Sequence, residues 1–575
     1  MKERRKAALA GLALLLVLLF HLAVAWQDFA TLARDGFLYD DSFYAFEIAR
    51  NIAQGRGITF DGIHSTTGFQ PLYVFMLVPA YALFPGDPVT PIYIALSLLA
   101  ICATAATWLV YRIAGRYVSA VAAACAAAVW TFSPIVARQS ANGLETAVAA
   151  LLVALSAWYY LARVRQPGDP PAFRLFVLGL ILGLAVLARI DSLLLVMVIM
   201  LDRLLVYGRS SVSPSRALAV LIIPLGVLVL YGPWLLVNMA ESGSPLQDSG
   251  TATRFLSLAY ASYFDYGPVS LAADGPDMSF IKGHIVHTAA TMKVIPPVHV
   301  IFRVFDRIGS IAGMPGLLRG SGNVLGAVLL AGSAAAVARW RRDRERSRRM
   351  ETGFLLAFSL LLLASYSLYI FGAFFYLRYY FPVYLTASIY FAFILQDLID
   401  AARARTLAFR RLAVAASAVY VAAFSYFTWS QSFNSHPLYP YYDIAAWVDE
   451  HISEDETVGI FQCGTIGYLS DRRVINLDGK VNREALNALR EGRIDRYIST
   501  EGIDVVIDHA KILELFLGMP TDRIRRGSTR VECGPVRHLS DWVALPSDMI
   551  AAGKAAAAVP GPPSGMAGCP YSPDF

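Results

Sequence analysis

Long apolar runs recur along the first three quarters of the chain, and they constrain its fold more than any other feature. A run of about 18 to 20 apolar residues is long enough to cross a bilayer as a helix. Of all residues, 56% are hydrophobic and 16% are charged, whereas about a quarter are charged in a typical soluble domain. The sequence therefore predicts an α-helical polytopic membrane protein. The net charge of +6 comes from basic residues between the apolar runs, so we expect no nucleic-acid partner.

The basic residues also predict the orientation of the helices, because cytoplasmic loops are enriched in Lys and Arg. The decisive segment is a short apolar stretch that contains prolines, residues 71–84. If it dips into the membrane without crossing, nearly every basic cluster, including residues 339–349, lies on the cytoplasmic side. We therefore predict about eleven transmembrane helices within residues 1–430. Two loops then face outwards, a first external loop at 27–91 and a long external loop at 241–323.

The chain changes character beyond its last apolar run. Short β-type runs at 458–462, 473–477 and 504–507 alternate with helical patterns. This alternation predicts a small soluble α/β domain at 431–550, on the outer face of the membrane. The last residues, 551–575, are rich in Ala, Gly and Pro and are predicted to be disordered.

The first external loop contains an acidic and polar stretch, residues 39–70, between two apolar segments. It opens with the adjacent carboxylates Asp40 and Asp41. Two like charges side by side raise the pKa of one of them, which suits a general base, and the same pair suits a metal. The alternative is that they cap a helix that begins near Ser42. His64, further along this loop, is a candidate substrate contact, although such a loop histidine is often only hydrogen-bonded.

Other ionisable residues fall at predicted outer ends of apolar runs, where they are costly unless they pair or function. Arg378 lies among tyrosines and suits a phosphate at headgroup depth; the alternative is an interfacial arginine in an aromatic belt. Any single one of these residues is also explained as a span-capping residue. The candidates for substrate binding are Arg378, Glu145, Arg189, Asp191, His64 and Lys293.

Phosphate-binding glycine loops and serine-nucleophile motifs are not found in a credible context. A nucleotide-sugar or acyl-serine mechanism therefore has no support, and the energy for any transfer must arrive with the substrate. The sequence does not settle whether a metal is used, although a divalent cation such as Mg or Mn is compatible with the acidic pair.

Several motifs together resemble the GT-C superfamily of integral-membrane glycosyltransferases, nearest to the bacterial branch with the protein O-mannosyltransferases and the aminoarabinose transferase of lipid A. The motifs are Y-D-D-S-F-Y-A-F-E-I-A-R-N-I-A-Q-G-R-G, T-T-G-F-Q-P-L-Y, N-G-L-E-T-A, A-R-I-D-S, R-Y-Y-F-P and G-T-I-G-Y-L-S-D-R-R-V-I-N-L-D-G-K-V-N. The resemblance implies that Asp40 is the catalytic base and that Asp41 stands where many relatives have Glu. The chain departs from the pattern at Gln70, where His is frequent, and at Ile190, where Pro is common.

The resemblance also implies a reaction. Such enzymes take a sugar from a polyprenyl-phosphate donor and transfer it, with inversion, to an acceptor hydroxyl outside the cytoplasm. The expected acceptor is a cell-envelope glycan, lipid or protein, and the expected site is the outer face of a bacterial inner membrane, in contact with membrane lipids. One alternative is a flippase or transporter of a lipid-linked saccharide, which would hold its ionisable groups near mid-membrane. A second alternative is a glycan polymerase or ligase.

Overall fold

The structure, a computed structural model, describes most of the chain. The described residues are 2–34, 37–166, 168–208, 218–263, 351–369, 376–403, 406–433, 440–531 and 541–550. The basic cluster at 339–349, most of the long external loop at 241–323 and the tail at 551–575 lie outside the described residues.

Helices dominate the described residues before the sheet. They are α1 (Lys2–Ala25), α2 (Phe29–Arg34), α3 (Asp40–Ala53), α4 (Pro71–Leu83), α5 (Thr90–Ala114), α6 (Ala120–Thr131), α7 (Pro134–Ser140), α8 (Thr146–Tyr159), α9 (Ala172–Ala188), α10 (Leu193–Gly208), α11 (Ile222–Ser242), α12 (Asp248–Tyr263), α13 (Gly353–Tyr369), α14 (Tyr376–Tyr379), α15 (Phe381–Arg403), α16 (Leu407–Phe433) and α17 (Tyr441–His451). A π-helical turn, Tyr160–Val164, extends α8, and a 3₁₀ turn, Ile190–Ser192, links α9 to α10.

Five helices of the described ranges are long and apolar enough to cross a membrane, or six if one bent pair, α6 and α7, forms a single span. The five are Ala8–Ala25, Thr90–Ala114, Thr146–Val164, Leu218–Ser242 and Phe381–Asp400. Other predicted spans fold as shorter apolar helices of 10–17 residues, among them α9 and the start of α13. The described residues therefore contain several apolar helices but not eleven long ones.

Helix α4 is the stretch that the sequence predicts to dip into the membrane. Its 13 residues include Pro79, and at about 1.5 Å per residue they span about 20 Å. The hydrocarbon core of a bilayer is about 30 Å thick. The helix is therefore shorter than a straight crossing requires.

The last part of the described chain contains a five-stranded sheet flanked by short helices. Its elements are β1 (Thr457–Ile460), α18 (Gly464–Leu469), β2 (Arg473–Asn476), α19 (Arg483–Arg490), α20 (Ile494–Thr500), β3 (Val505–His509), α21 (Ala510–Leu517), α22 (Thr521–Gly527), β4 (Thr529–Arg530) and β5 (Trp542–Pro546). The strand order is β2-β1-β3-β5-β4. Strands β2, β1 and β3 are parallel to one another, whereas β5 runs antiparallel to both of its neighbours, β3 and β4.

Helix α3 links the helical part of the chain to the sheet. It packs against α4 on one side and against α18 on the other. The hydroxyl of Tyr44, on α3, accepts hydrogen bonds from the backbone N–H of Cys463 (3.2 Å) and from the side chain of Asn476 (3.3 Å). Both partners lie at the carboxyl ends of parallel strands, β1 and β2. The start of α3 therefore faces the carboxyl edge of the sheet, where parallel α/β sheets place their ligands.

Candidate active site

Asp40 is the first residue of α3, and its carboxylate accepts two hydrogen bonds from the turn that follows β1. The backbone N–H of Thr465 donates to Oδ1 at 2.7 Å, and that of Gly464 donates to Oδ2 at 3.2 Å. Both donors belong to the first turn of α18, where helix N–H groups lack partners within the helix. The side chain does not cap its own helix. The proposed capping of a helix near Ser42 is therefore not what Asp40 does here.

Gly464 makes this contact possible because it has no side chain. A Cβ at this position would lie 2.1 Å from the backbone oxygen of Asp40, far inside van der Waals contact. Helix α18 therefore approaches α3 more closely than any other residue type would allow. This close approach brings the two N–H groups to the carboxylate.

The surroundings of Asp40 make its carboxylate unusually basic. Burial raises the pKa of Asp40 from 3.8 to about 6, and the neighbouring charge of Asp41 adds to the rise, while the hydrogen bond from Thr465 and the charge of Lys480 oppose it. A carboxylate with a pKa near the working pH is ionised at neutral pH and is still a good proton acceptor. The environment of Asp40 thus suits a general base.

Asp41 has the opposite environment. Its Oδ2 lies 2.5 Å from the guanidinium of Arg378, and its Oδ1 lies 3.0 Å from Nζ of Lys480. Burial alone would raise the pKa of Asp41, but Lys480 and Arg378 hold it well below its usual range. The neighbours of the two adjacent carboxylates therefore give them different properties. Asp41 remains ionised and forms ion pairs with Arg378 and Lys480.

Lys480 reaches this site from the turn that follows β2, in the sequence Asp478-Gly479-Lys480. Its ammonium also lies 3.3 Å from Oδ2 of Asp478, a carboxyl whose pKa is raised by burial. The loop after α3 packs on the backbone of Lys480, because a Cβ on Gly68 would lie 1.8 Å from the Lys480 carbonyl oxygen. The first external loop therefore positions Lys480 as well as supplying Asp41.

A second ionic cluster joins the ends of three apolar segments. Arg189 donates to Glu145 at 2.7 Å and to Asp191 at 2.8 Å, and all three side chains are largely buried. The hydroxyl of Tyr366 donates to Asp191 at 2.5 Å and accepts from Arg189 at 3.0 Å. Helix ends at α8, α9 and α13 are thereby held together by paired charges, which is how buried charges are tolerated.

Tyr379 connects the two clusters. The guanidinium groups of Arg189 and Arg378 each lie 5.0 Å from the centre of its ring, a cation–π distance. The ring also stacks on Tyr366, with centroids 4.7 Å apart. A continuous network of side-chain contacts therefore runs from Glu145 through Tyr379 to Lys480. It connects four of the predicted site residues to Asp41, namely Glu145, Arg189, Asp191 and Arg378.

Two predicted site residues have other outcomes. The imidazole of His64 contacts Asp61, Glu484 and Glu501, so its contacts are with carboxylates outside the Asp41 cluster. Lys293 lies outside the described residues. The role of both residues in substrate binding stays a prediction.

Sequence reasoning did not single out Lys480 or the N–H groups of Gly464 and Thr465. A signal was available for Lys480, because Asp478-Gly479-Lys480 directly follows a predicted buried strand, and the carboxyl end of a parallel strand is a common ligand position. Every residue except proline has a backbone N–H, so the sequence does not mark Gly464 and Thr465 as donors. The glycine itself was the one available signal.

The site has the groups needed for proton removal and for holding an anion. Asp40, a carboxylate of raised pKa, lies beside the guanidinium of Arg378 and the ammonium of Lys480, which both pair with Asp41. Each carboxylate oxygen of Asp40 and Asp41 already has one N–H partner. Within the described residues, the group with metal-like spacing is His64, Glu484 and Glu501.

Comparisons with known proteins agree with this architecture. The family model described as dolichyl-phosphate-mannose-protein mannosyltransferase matches residues 70–236. A second model, described as a domain of unknown function (DUF8728), matches residues 430–556. The search of curated proteins finds no match to this chain.

Several solved structures have a similar fold. The oligosaccharyltransferase AglB of Archaeoglobus fulgidus, in complex with an inhibitory peptide and a dolichol-phosphate, matches with a TM-score of 0.54 and 13% identity, over 87% of this chain and 69% of AglB. ArnT of Cupriavidus metallidurans, bound to undecaprenyl phosphate, matches with a TM-score of 0.53 and 12% identity, over 96% of this chain and 99% of ArnT. A structure of the Archaeoglobus fulgidus enzyme with Zn and sulfate matches at 14% identity and a TM-score of 0.50, over 87% of this chain and 68% of that one.

Proposed function

We propose that this chain is a GT-C membrane glycosyltransferase of the inverting type, which moves a sugar from a polyprenyl-phosphate donor to an acceptor hydroxyl outside the cytoplasm. The mannosyltransferase model over residues 70–236 and the fold shared with AglB and ArnT support this proposal. The proposed location is a bacterial inner membrane, with the site on the outer face. The acceptor class is a cell-envelope glycan, lipid or protein.

The observation that carries this proposal is the difference between the environments of the Asp40 and Asp41 carboxylates. Asp40 has a pKa of about 6, whereas Asp41 is paired with Arg378 and Lys480. A base and a pair of cations are the two elements that transfer from a lipid phosphate requires. Their placement at one helix end gives both elements a fixed geometry.

The reaction follows from these groups. The acceptor oxygen attacks the anomeric carbon of the sugar while Asp40 removes the hydroxyl proton. The bond between that carbon and the phosphate oxygen breaks, and its electron pair remains on the departing polyprenyl phosphate. The phosphate gains one negative charge, which Arg378 and Lys480 stabilise at the position where it develops. A single displacement inverts the configuration of the anomeric carbon.

The lipid phosphates bound by AglB and ArnT support the choice of donor. Cations at helix ends, as at Arg378 and Arg189, suit a phosphate that is anchored in the membrane by its lipid chain. Arg189 is held by Glu145 and Asp191, and it supports Arg378 through the shared ring of Tyr379. We therefore assign Arg378 and Lys480 to the phosphate and Arg189 to the support of that site.

Binding of undecaprenyl phosphate to the purified full-length chain tests the phosphate site. Arg378→Ala and Lys480→Ala should each weaken binding about 10- to 100-fold, the loss expected for one charge-assisted hydrogen bond. Arg378→Lys should retain more affinity than Arg378→Ala. The matched controls are Arg403→Ala, an exposed arginine at the carboxyl end of α15, and Lys511→Ala in helix α21.

Turnover tests the enzyme assignment itself. Incubation with a panel of synthetic polyprenyl-phosphate sugars and an acceptor extract should release free polyprenyl phosphate, and Asp40→Asn should abolish the release while still binding undecaprenyl phosphate. Movement of an intact lipid-linked saccharide across proteoliposomes, with no bond cleaved, would instead establish the transporter alternative. Equal binding of undecaprenyl phosphate by Arg378→Ala, Lys480→Ala and the controls would remove these cations from the phosphate site.

A further inference from the structure

A histidine in the first external loop faces two glutamates of the sheet part of the chain. Nε2 of His64 lies 3.4 Å from an Oε atom of Glu501 and 3.8 Å from one of Glu484. One ligand-type atom from each of the three residues lies within 4.8 Å of the others. His64 is about 11% exposed as a side chain and Glu501 about 23%, whereas Glu484 is largely exposed. The first external loop, helix α19 and the end of helix α20 therefore converge on one point at the surface.

The ring of His64 is held in one orientation by Asp61. Nδ1 of His64 lies 2.7 Å from Oδ2 of Asp61, and the other oxygen of Asp61 accepts from the backbone N–H groups of Ile63 and His64 at 2.9 and 2.8 Å. A carboxylate bonded to one ring nitrogen fixes the tautomer, so that the other nitrogen presents its lone pair. That lone pair is on Nε2, which faces Glu501 and Glu484.

A lone pair that faces two carboxylates is repulsive unless a proton or a metal cation lies between them. The three charges that act most strongly on the imidazole, those of Asp61, Glu501 and Glu484, are all negative. One proton on the ring would neutralise only one of these three charges. A divalent cation would neutralise two of them and would accept the lone pair as well.

The distances fit such a cation. Zinc bonds to histidine nitrogen and carboxylate oxygen are about 2.0–2.2 Å long and tetrahedral, so neighbouring ligand atoms lie about 3.3–3.6 Å apart. The separation of 3.4 Å between Nε2 and Glu501 falls in this range, that of 3.8 Å between Nε2 and Glu484 is slightly longer, and all three ligand atoms lie within 4.8 Å of one another. The exposed Glu484 side chain can rotate to close the remaining distance. An imidazole in the ligand set favours zinc over magnesium or calcium, which prefer oxygen alone.

We propose that His64, Glu484 and Glu501 bind one divalent cation of the zinc type and that it ties the first external loop to the sheet. Three protein ligands leave the fourth position to water. Asp61 orients the histidine from behind. This site is separate from Asp40 and Asp41, and the proposal does not depend on glycosyl transfer.

The cation would stabilise the loop on which Lys480 packs. Residues Thr59 and Ser65 pair as an isolated β-bridge, so His64 sits on a closed loop. Gly68 follows four residues after His64 and touches the backbone of Lys480. A tie at His64 therefore restricts the segment that positions Lys480, and loss of the tie should loosen that contact.

Metal content measures the proposal directly. The full-length chain in detergent is stripped with a chelator, reloaded with zinc chloride alone, freed of excess zinc and analysed for bound metal; zinc affinity is measured in parallel by competition with a fluorescent chelator. His64→Ala, Glu501→Gln and Glu484→Gln should each weaken the site at least about tenfold. The matched controls are His451→Ala and Glu491→Gln, which lie outside the cluster.

The exposed position of Glu484 protects this test from a folding artefact, because a neutral isostere there leaves the packing intact. Zinc should also raise the unfolding temperature of the wild-type chain and of both controls, but not that of the three cluster variants. Zinc binding that is the same in the Glu484→Gln and Glu501→Gln variants as in the controls would overturn the proposal. It would equally be overturned by a wild-type chain that binds no zinc and whose stability is lowered by His64→Ala alone, since His64 would then be an imidazolium paired with the glutamates.

Discussion

Replacement of Asp40 by Asn separates the catalytic role of this carboxylate from its structural one. The change keeps the size of the side chain but removes its charge and its basicity. Turnover should fall about 100- to 10,000-fold, the usual contribution of a general base. Stability should respond in a different way, because the ionised carboxylate is itself costly to the folded chain.

The structure gives the size of that cost. Burial and Asp41 raise the pKa of Asp40 from 3.8 to about 6, and each pKa unit corresponds to about 1.4 kcal/mol. The full difference is about 3 kcal/mol, which we reduce to about 1–3 kcal/mol because the side chain is partly exposed. Asn relieves this cost but accepts through one oxygen only, so one of the two N–H donors, Gly464 or Thr465, loses its partner at a cost of about 1–3 kcal/mol. At pH 8 the two effects nearly cancel.

The pH dependence has a definite sign. Below pH 4 the carboxyl is protonated in both the folded and the unfolded chain, so Asn brings no electrostatic relief and the variant is less stable than wild type. Between pH 4 and about 6 the unfolded chain releases the proton while the folded chain keeps it, and wild-type stability falls. Above pH 6 the difference is constant. The stability of Asp40→Asn relative to wild type should therefore improve by about 1–3 kcal/mol between pH 4 and pH 7.

Thermal unfolding in detergent at pH 4, 5, 6, 7 and 8 measures this difference, with the exposed Asp471→Asn as the matched control for general pH effects. A stability difference between Asp40→Asn and wild type that does not change with pH would refute the raised pKa. A variant that is stable and turns over normally would refute the base. A variant that is destabilised equally at every pH and inactive would make Asp40 a clamp between α3 and α18.

Three further predictions follow from the same geometry. If Asp40 acts as the base, kcat/KM should rise with pH around a midpoint of about 6, and a profile that is flat from pH 5 to 8 would contradict this. Lys480→Met should lower turnover about 10- to 100-fold while Lys480→Arg retains more, because the cation is needed both by Asp41 and by the phosphate; equal rates in the two variants would remove the charge from the argument. Gly464→Ala should destabilise the contact between α3 and the sheet by about 2 kcal/mol or more, since its Cβ would lie 2.1 Å from the Asp40 carbonyl; unchanged thermal stability would mean that α18 can move away without loss.

Much of the site could be predicted from residue types and their places in the sequence. Asp40, Asp41 and Arg378 were singled out because charges at the ends of apolar segments need a partner or a function, and the structure joins Asp41 to Arg378 at 2.5 Å. Glu145, Arg189 and Asp191 were singled out by the same argument, and they form one buried cluster. Their role in binding substrate stays a prediction.

The rest depended on contacts between distant segments, which periodicity does not reveal. Lys480 and Asp41 are 439 residues apart in the sequence, and nothing in either segment alone indicates the other. Residue types alone likewise do not choose between Asp40 and Asp41 as base, because two adjacent carboxylates look alike until their neighbours are known; only the family resemblance assigns the role to Asp40. The number of spans was uncertain for another reason: several apolar runs form helices too short to cross a bilayer straight, and hydropathy alone does not give the length of a helix.

The division of the site between two parts of the chain gives the sheet a role beyond that of an accessory. The helical part supplies Asp40, Asp41 and Arg378, but both N–H donors to Asp40 and one of the two cations on Asp41 come from turns at the carboxyl ends of β1 and β2. Without the sheet, Asp41 would retain one cation instead of two, and Asp40 would lose the donors that orient it. The complete set of contacts that distinguishes the two carboxylates therefore forms only when the sheet is docked on α3. Docking of the sheet and assembly of the site are, on this geometry, one event.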